Sequence, residues 1–261
     1  MFRKYRFNKI CRNIKEIRIQ GATNVAKQAL KAYYLFPNKI TKRILLNLRP
    51  TEPMLSHVID LADRLPKEKI LAHFFEAQEK INKGVLKIIK NNSVIFTHCH
   101  STNVIKALIY SKNHGKRFQV YNTETRPLFQ GRKTAKELKH GGIKVTNFVD
   151  SAAGIAIKKS NVVFLGADAL LKDAVINKVG SGMFAEIAHD NKVPVYIVAD
   201  SWKYAHKSVK IEERDFREVW GTKKVHIENP AFEKINPKFI RAIITELGIM
   251  SYKSFLKKVK S

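Results

Sequence analysis

Apolar positions recur at three- and four-residue spacing through residues 14–35 and again through 67–90, the repeat of amphipathic helices. Pro50, Pro53 and Pro66 divide this first third of the chain into separate helices. From Asn92 onward the period shortens. Residues 94–97, 118–122, 144–147, 162–165 and 193–198 are short β-branched runs with helix-like segments between them. That alternation predicts an α/β fold with a mainly parallel sheet covered by helices on both faces. The run 193–198 is almost wholly apolar, as a strand buried on both sides should be. Residues 229–247 read as a loop leading into a terminal helix. The expected organisation is a helical amino-terminal domain over 1–91 and an α/β domain over 92–261.

Open parallel sheets present ligands with the carboxyl ends of their strands and the amino ends of the helices that follow. The polar residues fall at those places. The first strand ends in His98, Cys99, His100 and Ser101, the second in 122–127, and the fourth in Gly166, Ala167 and Asp168, so these three tips should line one crevice. Within "VIFTHCHSTNV" (94–104), the two histidines flanking Cys99 suggest zinc, but successive side chains of an extended segment point to opposite faces. The remaining histidines, His73 among them, show no ligand-like pairing, and no metal is expected.

Cys99 can instead be a thiol whose acidity is tuned by the helix start beside it, or a buried structural cysteine. Ser101 and Thr102 are natural caps for a helix over 103–112, leaving free amides that suit an anion. Asp168 can donate or accept a proton, or simply cap a helix. Together Cys99 and Asp168 are two proton-handling groups without a nucleophile–base–orienter triad, which points to isomerisation over hydrolysis. Arg126, held before Pro127, and Arg49, before Pro50 and Thr51, are candidate phosphate forks or ordinary surface arginines. Asn177 and Lys178, followed by the flexible turn at Gly180, offer an amide and an ammonium to an anion. No dinucleotide or triphosphate glycine motif is present, so no nucleotide cofactor is expected.

The composition fits this picture and adds a charge. The 261 residues are 44% hydrophobic, enough for a real core, and two cysteines are too few for a disulfide framework. Residues 1–15 lack an apolar signal core and no stretch of about 18 apolar residues occurs, so a soluble cytoplasmic protein without a membrane partner is expected. Forty-nine basic against 22 acidic residues give a formal charge of +27, which attracts polyanions such as RNA or phosphorylated metabolites. The lysines are spread along the chain, as compositional bias would also spread them.

Several segments in order resemble the initiation factor 2B-like family, which includes sugar-phosphate isomerases. They are Thr97-His-Cys-His-Ser101, 123–131, 149–153, Gly166-Ala-Asp168, 174–178, Asp200-Ser-Trp-Lys203, 229–232 and 243–249. The resemblance covers nearly the whole chain. It implies a Rossmann-like carboxy-terminal domain and an aldose–ketose isomerase that turns ribose 1,5-bisphosphate into ribulose 1,5-bisphosphate in AMP salvage without a cofactor. It also implies a homo-oligomer built from dimers, a hexamer being one such assembly. By motif, Cys99 is the catalytic thiol and Asp168 its partner carboxylate, while Gly21, Ala22, Thr23, Arg49, Ser101, Thr102, Asn103, Asn177, Lys178 and Lys203 fall on substrate-binding positions. Three departures touch the substrate side: Gln20 stands where the isomerases carry arginine, His100 replaces an asparagine, and the loop after Asp168 lacks a glycine and is one residue short. Gln20 matches the non-catalytic branch, so the alternative is a regulatory subunit that binds nucleotide or sugar phosphate and contacts RNA or a translation factor. A methylthioribose 1-phosphate isomerase ranks behind both.

Overall fold

The computed structural model describes residues 2–49 and 52–260, so Pro50 and Thr51 lie outside the described residues. The first third is helical: α1 (Phe2–Lys15), α2 (Ala22–Tyr33), α3 (Lys39–Leu46), α4 (Pro53–Leu61) and α5 (Lys67–Ile88). The periodic stretch 14–35 is not one helix. It breaks at 16–21, where Ile17 takes φ 58° and Gly21 φ 83°, and the break turns Gln20 to Thr23 toward the rest of the molecule. Only glycine adopts the second value without penalty.

Then follow β1 (Ser93–Thr97), α6 (Thr102–Asn113), β2 (Phe118–Thr123), α7 (Gln130–His140), β3 (Lys144–Phe148), α8 (Ala153–Lys158) and β4 (Val162–Leu165). The chain continues through β5 (Ala169–Leu170), β6 (Val175–Lys178), α9 (Ser181–Asp190) and β7 (Val195–Val198). It closes with β8 (Phe232–Ile235), β9 (Ala242–Thr245), β10 (Gly248–Met250) and α10 (Tyr252–Lys258). Seven strands form the main sheet in the order β10-β9-β7-β4-β1-β2-β3, parallel except for the β9–β10 edge. The order reverses between β1 and β4, which is the switch point where such sheets open a crevice.

The expectation of a loop leading into a terminal helix over 229–247 is corrected, the last helix being α10 further on. Ala242–Thr245 is a buried strand paired in parallel with β7, and Phe232–Ile235 joins β5 and β6 in a small antiparallel sheet. Both runs are only four residues long, too short for a period to show. Two apolar layers sandwich the main sheet. One gathers Phe96, Val163, Leu165, Phe184 and Phe255, the other Ile95, Val104, Leu108, Phe164 and Ile244. Helix α5 serves two cores: Ile70 and Phe74 pack with α2 and α4, while Ile81 and Val85, with Ile89 just past its end, join the sheet layer. Between those halves, Gln78 is buried and accepts from the Asn103 side chain at 3.0 Å, tying the start of α6 to α5.

Candidate functional site

At the switch point the backbone bends sharply after β1. Cys99 takes φ 64°, a left-handed conformation that costs a non-glycine residue about 1–2 kcal/mol. Side chains hold it there. The Cys99 amide donates to Thr125 Oγ1 at 3.0 Å, and the Thr134 hydroxyl donates to the Cys99 carbonyl at 2.7 Å. Thr125 is itself fixed by its amide to Asp150 Oδ1 at 2.8 Å. The tip of β2 therefore braces the cysteine from behind. Of the three tips expected to line the crevice, those of β1 and β4 do, and residues 122–127 do not.

His98 and His100 are both engaged. His98 is buried, with Nε2 donating to the Val179 carbonyl at 3.0 Å and Nδ1 accepting from the Thr123 hydroxyl. His100 Nε2 lies 3.1 Å from Glu137 Oε1 on α7. Each ring thus has a hydrogen-bonding partner within the protein. Burial holds the His98 imidazole down, to about 4, against an ordinary 6.5. Between those values the unfolded chain binds the proton and the folded one refuses it, so stability falls as pH drops from 6.5 toward 4. At roughly 1.4 kcal/mol per decade of proton affinity the loss is ~3 kcal/mol. Urea unfolding of the wild type across that range should show it, and His98→Asn should show a flatter pH dependence.

One pocket collects almost every residue singled out in the sequence. Gln20, Gly21, Ala22, Thr23 and Arg49 line it from the helical region; Cys99, Ser101, Thr102, Asn103 and Asp168 line it from the sheet tips; Asn177, Lys178 and Lys203 complete it. Arg126 is the exception and is corrected. It is exposed, donates to the Val219 carbonyl at 3.2 Å and lies over the Phe129 ring, away from the pocket. Gly166 allows the close approach of β4 to α6, since a Cβ there would come within 2.7 Å of the Ser101 side chain. Ser101 caps α6 by accepting from the Val104 amide at 3.4 Å.

Burial raises the Cys99 thiol to about 11, with Lys178 working against it and Asp168 with it. The expectation of a tuned, acidic thiol is thus corrected: the group is a proton-bearing thiol at neutral pH. Asp168 is also pushed up by burial, with Lys203, Lys178 and Arg49 opposing. It opens the turn into β5 and caps no helix. Lys203 donates to the Ala167 carbonyl at 2.6 Å, next to Asp168, and burial lowers its own affinity for the proton. Lys178 is buried over the Phe232 ring.

The turn carrying Lys203 is clasped from outside the pocket. Asp200 accepts from the Trp202 amide at 2.9 Å, His73 Nε2 lies 3.2 Å from both Asp200 oxygens, and its ring stacks on Trp202 at 3.5 Å. Glu246 accepts from the Ser201 amide at 3.0 Å. Reading His73 as unpaired missed this cluster, whose potential ligand atoms lie within 4.8 Å of one another and serve the turn. Sequence reasoning also missed Glu52, Gln130 and Arg214 in the pocket. Glu52 is bridged to Arg49 at 3.1 Å, and a spacing of three signals such a pair only on a helix, whereas both residues lie between α3 and α4. Arg214 had no signal either, lying in an irregular stretch between β7 and β8.

The sequence matches the model of the Initiation factor 2 subunit family over residues 19–252, nearly its full length. The chain belongs to that family. Within the Initiation factor 2 subunit family it is 36% identical to a protein of Methanocaldococcus jannaschii named ribose 1,5-bisphosphate isomerase, with 91% of this chain and 89% of that one aligned. It is 29% identical to a Pyrococcus horikoshii protein named putative translation initiation factor eIF-2B subunit 2-like, covering 92% and 95%. A solved structure of Pyrococcus horikoshii OT3 translation initiation factor eIF-2B superposes with TM-score 0.85 at 28% identity, over 94% of this chain and 97% of that one. Both the family and its α/β fold are therefore those that the motifs suggested. Among the described residues no helix is long and apolar enough to cross a membrane.

Proposed function

We propose that this protein is an aldose–ketose isomerase that converts ribose 1,5-bisphosphate to ribulose 1,5-bisphosphate, as the name of its Methanocaldococcus relative suggests. The observation that carries the reading is one pocket holding a protonated thiol, a carboxylate and buried cations together. The thiol of Cys99 donates its proton to the ring oxygen, and the bond from that oxygen to C1 breaks. The hydrogen on C2 then moves with its bonding pair to the electron-deficient C1, and the proton of the C2 hydroxyl passes to Asp168, leaving a carbonyl at C2. Proton exchange with solvent resets both groups. No atom is gained or lost.

The two phosphates need separate anion-friendly corners. Lys178 and the free amides at the start of α6 supply one, and Arg49 with Arg214 supplies the other. We place the reaction in nucleotide salvage and the chain in a homo-oligomer built from dimers, as extensions of the same proposal.

A second reading, a regulatory subunit that binds a phosphorylated ligand without converting it, is favoured by one observation. Arg49 is bridged at 3.1 Å to both Glu52 and Glu212, so part of its charge is already neutralised. Offering the purified protein α-ribose 1,5-bisphosphate separates the two: ribulose 1,5-bisphosphate forms under the first reading, and the bisphosphate is bound but recovered unchanged under the second.

A further inference from the structure

Glu52 is out of place in a pocket built for phosphates. It is 2% exposed and faces the same cavity as Asp168, Lys178 and Lys203. One of its oxygens, Oε1, is bridged to Arg49, while Oε2 is buried without a hydrogen-bond partner. Balancing Arg49 does not explain it, because Glu212 already lies 3.1 Å from the same guanidinium nitrogen. A buried carboxylate oxygen left unpaired is costly, and it repels the anion the pocket is meant to hold.

Three further atoms share this condition: Asn103 Oδ1, Gln130 Oε1 and Arg49 Nε are buried, unpartnered and belong to residues of the same pocket. Arg49 Nε is a donor that a phosphate oxygen satisfies, whereas Glu52 Oε2, Asn103 Oδ1 and Gln130 Oε1 are acceptors. A phosphate at neutral pH offers almost no donor, whereas sugar hydroxyls do. Glu52 lines the same cavity as Asp168, to which the proposed reaction brings the C2 hydroxyl.

We infer that Glu52 reads the sugar: its unengaged Oε2 accepts the hydrogen bond of the ligand's C2 hydroxyl and makes the pocket select hydroxylated sugar phosphates over their 2-deoxy counterparts. The inference deepens the isomerase proposal: Glu52 holds the C2 hydroxyl of the bound sugar, and its single proton swings to Asp168 only as the carbonyl forms at C2. A hydrogen bond to a buried charged group sets the size of the effect at tenfold or more in affinity.

Calorimetric titration of the full-length protein with α-ribose 1-phosphate, 2-deoxy-α-ribose 1-phosphate and inorganic phosphate tests it. The wild type should prefer ribose 1-phosphate to its deoxy analogue at least tenfold. Glu52→Ala should reduce that preference below threefold and bind inorganic phosphate no more weakly than the wild type, since a like charge has gone. Should the alanine variant not fold, Glu52→Gln, which keeps the shape and one acceptor but loses the charge, should lose at least half of the preference on a logarithmic scale. Equal affinities of the wild type for the two sugars, failure to bind either, or an undiminished preference in a folded variant overturns the inference. Hydroxyl preference without turnover of ribose 1,5-bisphosphate leaves the inference standing and removes the isomerase reading; turnover without the preference does the reverse.

Discussion

Cys99→Ser and Asp168→Asn are each expected to lower kcat on ribose 1,5-bisphosphate by about a hundredfold to ten-thousandfold, the range that a positioned general acid or base contributes. Both changes preserve size and hydrogen-bonding shape, so the fold and the binding of inorganic phosphate should survive. The reasoning is specific to each group. Serine is a poorer proton donor than a thiol held at about 11, because its hydroxyl keeps its proton more tightly. Asparagine cannot take a proton at all, whereas burial raises the proton affinity of the Asp168 carboxyl, with Lys203 and Lys178 opposing. Steady-state assays on the two variants check this, and a loss of less than threefold in either would remove that residue from the proposed chemistry.

The second large effect is on stability. Phe184 on α9 is 1% exposed, meets Phe96 edge-on at 5.7 Å and the His98 ring at 4.9 Å, and lies against Gly180 at the start of its own helix. Phe184→Ala should destabilise the protein by about 3–5 kcal/mol, because the contacts of a large ring are lost and a rigid sheet layer closes only partly over the space. Denaturant unfolding measures it. The same variant should loosen the His98 ring, which precedes Cys99 in the chain, so activity should fall more than the remaining folded fraction accounts for. A cost below about 1 kcal/mol would mean that the site rests on other supports.

Much of this was legible in the chain because local chemistry and global topology agree. The β1 to α6 junction announced itself through an apolar run, a polar tip and a Ser101 cap, and the structure puts Cys99, Ser101, Thr102 and Asn103 in the pocket. Asp168 followed from the same rule applied to β4. What stayed hidden depends on neighbours that the sequence does not place. Thr125, which its strand tip seemed to aim at the crevice, and Thr134, which nothing in the sequence singles out, hold the Cys99 backbone from across the sheet. Arg126 looked like a phosphate fork because Pro127 follows it, but the left-handed bend at Thr125 carries it to the outside. The thiol's acidity was misjudged for a related reason: the helix amides beside Cys99 are local and visible, while the burial that outweighs them is tertiary. Strands β8 and β9 were missed because each is four residues long and defined by its partners.

The account rests on Cys99 and Asp168 moving protons within one crevice, and one measurement reaches it most directly. Phosphorus NMR of the wild-type protein with α-ribose 1,5-bisphosphate, followed until the spectrum stops changing, should show the C1 phosphate resonance replaced by that of ribulose 1,5-bisphosphate, with no free phosphate released. An unchanged spectrum in the presence of folded protein that binds the sugar would contradict it.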